Sequence, residues 1–120
     1  MPIVAIDHVQ LAMPAGREDD ARAFYGALLG LPERSRPPEM AGRGGVWFEN
    51  DRIKIHVGVD PDFRPARKAH PALVVQGLPA LLQRLRQANV PIATNDPLPG
   101  MNRAFVNDPF GNRIELLEPA

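Results

Sequence analysis

The sequence predicts an α+β fold in which one βαβββ pattern occurs twice. Three observations carry this. Period-two alternation of apolar residues marks a strand at Ile6 to Met13 and again at His70 to Val75. Each is followed by apolar residues at helical spacing, and each helix by a Pro- and Gly-rich stretch leading into a hairpin. His8 and His70 stand 62 positions apart, while Pro32 and Pro91, and His56 and Glu115, stand 59 apart. One three-residue indel in the loop Pro14 to Arg17 reconciles the two offsets, so the halves share a register. The expectation is one domain over 1–120, made of module 1–60 and module 67–120 with a short linker. Its two mixed sheets are expected to curve into a cup.

In the first strand His8, Gln10 and Ala12 share one face, and Val9, Leu11 and Met13 the other. Ala21, Phe24, Tyr25, Leu28 and Leu31 predict a helix over 18–31, with Glu18, Asp19 and Asp20 favourably placed at its positive end and Gly30 and Pro32 closing it. Arg36 to Gly45 then leads to a hairpin, Val46 to Val59, turning at Glu49-Asn50-Asp51-Arg52. Asp60 to Ala69 is the linker. The second strand follows with His70, Ala72 and Val74 on one face. Leu78, Leu81, Leu82, Leu85 and Ala88 predict the second helix, ended by Asn89 and Pro91. Asp96 to Gly100 leads to the last hairpin, Arg103 to Leu117, turning at Asp108-Pro109-Phe110-Gly111.

Composition narrows the function. At 120 residues the chain can remove about two-thirds of its unfolded surface from water, so no staple is needed to fold it. Fourteen Lys and Arg balance fourteen Asp and Glu, which leaves no net field toward nucleic acid or an anionic membrane. No stretch approaches the roughly 20 apolar residues of a membrane span, and the N-terminus has no basic segment before a long apolar run. Cysteine is absent. That removes thiolate ligands and cysteine nucleophiles, and fits a cytoplasmic protein.

On the last strands Lys54, His56 and Gly58 share a face, as do Arg113, Glu115 and Leu117. These polar faces point away from the helices. If the sheets curve together, His8, His56, His70 and Glu115 project into one cup. A lone strand histidine is more often a hydrogen-bonded structural residue, and Glu115 alone would pair equally well with Arg113. It is the repeat that makes His8, His70 and Glu115 a set, with His56 as a fourth ligand or a residue that meets substrate. Imidazole and carboxylate suit iron, manganese, nickel, cobalt or zinc.

Other catalytic signals are weak. Ser35 is the only serine and sits in a charged loop, so acyl chemistry is disfavoured. Gly42, Gly44 and Gly45 do not join a strand to a helix, so they read as a flexible strand entry rather than a phosphate loop. Trp47 and Phe48 are adjacent on a strand, so one faces the core and the other the cup or an interface. Both are candidate substrate contacts, as is Arg103, whose alternative is a solvated edge arginine.

Ile6-Asp7-His8-Val9, Ala23-Phe24-Tyr25 through Leu29-Gly30-Leu31-Pro32, His70-Pro71-Ala72-Leu73 and Asp108-Pro109-Phe110-Gly111-Asn112-Arg113-Ile114-Glu115 resemble the vicinal oxygen chelate superfamily. That superfamily includes glyoxalase I, extradiol dioxygenases, fosfomycin-resistance enzymes and bleomycin-resistance proteins. The resemblance spans nearly the whole chain and implies paired βαβββ modules. It also implies a divalent metal on His8, His70 and Glu115, a small-molecule substrate and a homodimer. His56 falls near the position where glyoxalase I has a glutamate that is both ligand and base, and this departure separates the chain from glyoxalase I itself. The implied activity is Lewis-acid catalysis of lyase, isomerase or dioxygenase type, with His56 or Glu115 moving protons. The alternative is a metal-free binding protein of the bleomycin-resistance kind.

Overall fold

The computed structural model describes residues 1–94 and 98–120. The chain forms two compact units, 1–64 and 65–120. Each carries its own four-stranded mixed sheet, with strand orders β1-β4-β3-β2 and β5-β8-β7-β6. Among the described residues no helix is long and apolar enough to cross a membrane.

In the first unit β1 (Val9–Met13) runs parallel to β4 (Lys54–Val59), with Gln10 opposite His56. Antiparallel β3 (Val46–Glu49) and β2 (Glu33–Arg34) follow, with Trp47 opposite His56. The strand begins at Val9 rather than Ile6, and residues 1–8 lie outside the ladder with Ile3, Val4 and Ile6 exposed. The helix expected over 18–31 is α1 (Glu18–Ala21) widening into a π-helical stretch, Arg22–Leu28, where the Leu29 amide donates to the Phe24 carbonyl. The wider turn shifts the register, so Leu28 is only half-buried while Ala21, Phe24, Tyr25 and Leu31 are buried. Their companions are Leu11, Met13, Val46, Phe48, Ile55 and Val57. Phe48 lies 5.6 Å from Tyr25, ring to ring. A 3-10 turn, Pro38–Arg43, precedes Gly44 and Gly45, both at positive φ.

In the second unit β5 (Ala72–Val74) runs parallel to β8 (Arg113–Pro119), with Ala72 opposite Glu115. Gln10 and Ala72 thus hold equivalent places beside His56 and Glu115, and the same 62- and 59-residue offsets recur in the pairing. The Pro71 carbonyl extends the ladder by accepting from the Glu115 amide, although Pro71, having no N–H, stays outside β5. Antiparallel β7 (Met101–Asn107) and β6 (Ile92–Ala93) complete the sheet. The α2 helix (Leu78–Gln87) packs on β6 and β8 through buried Leu78, Leu81 and Leu85, while Ala88 is exposed beyond its end. Its N-terminus is capped from another strand: the Glu118 carboxylate accepts the Gly77 and Leu78 amides at 2.6 and 3.0 Å. The lead-in expected at Asp96 to Gly100 falls partly on 95–97, outside the described residues.

The β7–β8 turn is locked from within. Asp108 Oδ1 accepts the Phe110 and Asn112 amides, and the Asn112 side chain donates to Asp108 Oδ2 at 2.9 Å. Asn112 Oδ1 in turn accepts the Ala66 amide, tying the start of the unit to its last hairpin.

Candidate functional site

Period-two alternation sends Trp47, Glu49, Lys54 and His56 to one face of the first sheet and Val46, Phe48, Ile55 and Val57 to the other. The ambiguity between Trp47 and Phe48 is thereby resolved. Phe48 is fully buried beside Tyr25 and is a core residue, which corrects its place among the substrate contacts. Trp47 is on the polar face, stacked on His56 at 4.0 Å and nearly parallel. His8, the residue before β1, stacks on His56 at 4.4 Å. His56 is therefore held in a stack of three rings and is only 5% exposed.

Each imidazole in the stack has a carboxylate. His56 Nε2 lies 2.6 Å from Glu49 Oε2. Facing an acceptor-only carboxylate, Nε2 is the donor of this bond. His8 Nδ1 lies 2.9 Å from Asp7 Oδ2, so Nε2 is the nitrogen that remains for a ligand bond. The hydrogen bond from His8, followed by that from Lys54, holds the Asp7 carboxyl below the usual carboxylate range. Sequence reasoning missed Glu49 and Asp7. The hairpin register could have found Glu49, which lies two residues beyond Trp47 on the same face.

In the second unit His70 and Glu115 are brought together. His70 Nδ1 lies 2.9 Å from the Lys68 carbonyl, which can only accept, so Nδ1 carries the proton. Nε2 lies 2.9 Å from Glu115 Oε1. Two metal ligands at right angles on bonds of about 2.1 Å stand about 3 Å apart, so the spacing fits a divalent ion. Arg103 Nη1 binds the other oxygen, Oε2, at 3.2 Å, which partly neutralises Glu115 and leaves Oε1 to His70. Phe105, opposite Glu115 in the ladder, meets the His70 ring edge-on at 5.3 Å.

The expected ligands thus form two clusters, His8 with His56 in the first unit and His70 with Glu115 in the second. Among the described residues no group of three or more His, Asp or Glu side chains is close enough to hold a metal ion. The donor types fit a divalent cation on nitrogen and oxygen, and the His70–Glu115 spacing fits two of its bonds.

The sequence pattern of the Glyoxalase/Bleomycin resistance protein/Dioxygenase superfamily matches residues 5–116. A glyoxalase family protein from Bacillus anthracis is 43% identical, with a TM-score of 0.93 over 98% of this chain and 97% of its own. The fosfomycin resistance protein FosX from Listeria monocytogenes, whose structure holds manganese(II) and sulfate, is 14% identical, with a TM-score of 0.78 over 98% of this chain and 92% of its own. TnmS3, an antibiotic binding protein from Streptomyces sp. CB03234, is 22% identical, with a TM-score of 0.69 over 98% of this chain and all of its own, 100%. The last two share the fold. No curated protein matches. With the paired βαβββ units on the page and the family pattern running through both, the chain belongs to the Glyoxalase/Bleomycin resistance protein/Dioxygenase superfamily.

Proposed function

We propose that this chain is a glyoxalase-like metalloenzyme that acts on a small oxygenated metabolite in the cytoplasm. The observation that carries this reading is the His70–Glu115 pair, an imidazole proton-locked on Nδ1 whose Nε2 faces a carboxylate oxygen at 2.9 Å. The metal ligands in the second unit are His70 and Glu115, and the metal is one of iron, manganese, nickel, cobalt or zinc. Bound there, it supplies a Lewis acid that polarises the substrate's oxygens.

The chain's own residues do the rest. Lys68 and Asp7 fix the two histidine rings through Nδ1, and Arg103 orients Glu115 through Oε2. A carboxylate engaged as a ligand is a weak base, so proton transfer falls to His56, whose Nε2–H is held by Glu49. Trp47 stacks on His56 and offers substrate a flat apolar contact. Met1, Ile3, Val4 and Ile6 are each at least 82% exposed ahead of His8, which supports assembly as a homodimer.

Metal analysis after purification without a histidine tag tests the reading. One transition metal per chain is expected, with metal affinity falling at least about tenfold in His70→Ala and Glu115→Gln, as loss of a ligand or its orienting partner does. Metal-free protein whose composition does not respond to either change sinks the assignment. A second reading, a metal-free binding protein, is favoured by the Trp47–His56–His8 stack alone, a ready aromatic ledge. Ligand quenching of Trp47 emission that chelator leaves untouched would select it.

A further inference from the structure

The second unit holds an open cleft of ≈ 670 Å³ among β6, β7, the β7–β8 turn and the chain entering the unit. Its apolar walls include Ile92, Phe105 and Phe110, and its polar lining is Arg67, Asn107 and Arg113. The Arg113 guanidinium carbon lies 4.0 Å from the centre of the Phe105 ring. Packing against that face restrains the side chain while leaving its N–H donors at the ring's edge free for an acceptor.

The electrostatics of the cleft are one-sided. Among the described residues neither Arg67 nor Arg113 has a carboxylate within ion-pair distance, whereas Arg17, Arg22 and Arg103 do. Two acids of the same β7–β8 hairpin are already engaged. Glu115 is held by His70 and Arg103, and Asp108 by the amides of its own turn and the Asn112 side chain. Two cations therefore line a cleft of ligand size with apolar walls, and the described residues supply no counter-ion.

We propose that this cleft is an anion subsite. It takes the carboxylate or phosphate head of a small amphipathic molecule on Arg113 and Arg67, with the apolar part of that molecule against Phe105, Ile92 and Phe110. Either head is an anion that a guanidinium fork can grip through two N–H groups. Arg113 lies two residues before Glu115 on one strand face, about 7 Å along it, and Phe105 touches both Arg113 and His70. The anion is thus the tail of the metabolite whose oxygens reach His70 and Glu115. This last step rests on the metal reading above, whereas anion binding itself does not.

The test titrates full-length protein in the presence of chelator with phenyl phosphate, benzoate, inorganic phosphate and uncharged benzyl alcohol, read by calorimetry and by the arginine side-chain N–H signals. Saturable binding of phenyl phosphate or benzoate that shifts Arg113 and Arg67 is expected, with none for benzyl alcohol. The tighter of the two names the head, and weaker binding of inorganic phosphate shows the contribution of the apolar walls. Arg67→Gln and Arg113→Gln should each weaken binding about tenfold, which corresponds to about 1.4 kcal/mol. Arg67 is exposed, so its variant carries the test if Arg113→Gln fails to fold. Absence of saturable binding by both aromatic anions, or binding unchanged in the Arg67 variant, overturns the subsite. Metal occupancy measured separately on the same preparation distinguishes this failure from failure of the metal reading.

Discussion

At Gly45 a missing side chain decides how β3 can begin. The residue sits at φ 90°, and a Cβ there would run into the Val57 carbonyl, so the chain passes only as glycine. The same close approach brings the Gly45 amide to Glu18 Oε2 at 2.9 Å. That hydrogen bond is the main reason the Glu18 carboxyl is held below its ordinary value of 4.5. Because the folded value is the lower one, the ionised side chain contributes stability above about pH 4.5, and the contribution is lost as pH falls through the folded value. Glu18→Gln removes this titration. Denaturant unfolding between pH 7 and 3 should show a flatter acid limb for the variant than for the parent chain. Parallel acid limbs would place the acid sensitivity elsewhere.

Among the elements, α2 shows what local sequence can and cannot carry. Its leucine spacing predicts the helix and its buried face, but its N-terminal cap, Glu118, lies some forty residues away on β8, beyond any local rule. Two charge-assisted bonds at the positive end of the helix imply that Glu118→Ala lowers stability by about 1–2 kcal/mol, measured by denaturant unfolding. A change below a few tenths would mean water replaces the carboxylate without loss. Both hairpins and their turns were legible for a related reason, since Asn50 and Asp108 make their turn bonds within four residues. The first helix was legible as a helix but not as a π-helical one, because i+3 and i+4 spacing fits several turns before a widened register declares itself. Likewise His8 and His70 were legible as a repeated pair. The carboxylates that orient the first unit's rings were not, because their contacts depend on strand register and on the residue just ahead of β1.

For the molecule as a whole, the exposed apolar residues ahead of His8 are the feature most open to association. If they lie against a second copy, Ile6→Asp should shift the chain toward monomer in analytical ultracentrifugation at micromolar concentration, with the fold retained by circular dichroism. A variant with an unchanged sedimentation profile would place the contact elsewhere.

The sheet orders also carry a temporal consequence. Among the described residues every strand of the first sheet lies between Val9 and Val59, and every strand of the second between Ala72 and Pro119, so each described ladder closes within its own half. On the ribosome, where synthesis proceeds at about 5–20 residues per second, the first sheet has its full set of strands once Val59 has emerged, seconds before β8 appears. The order of synthesis thus gives the first half an interval in which to close its own ladder without competition from the strands of its repeat.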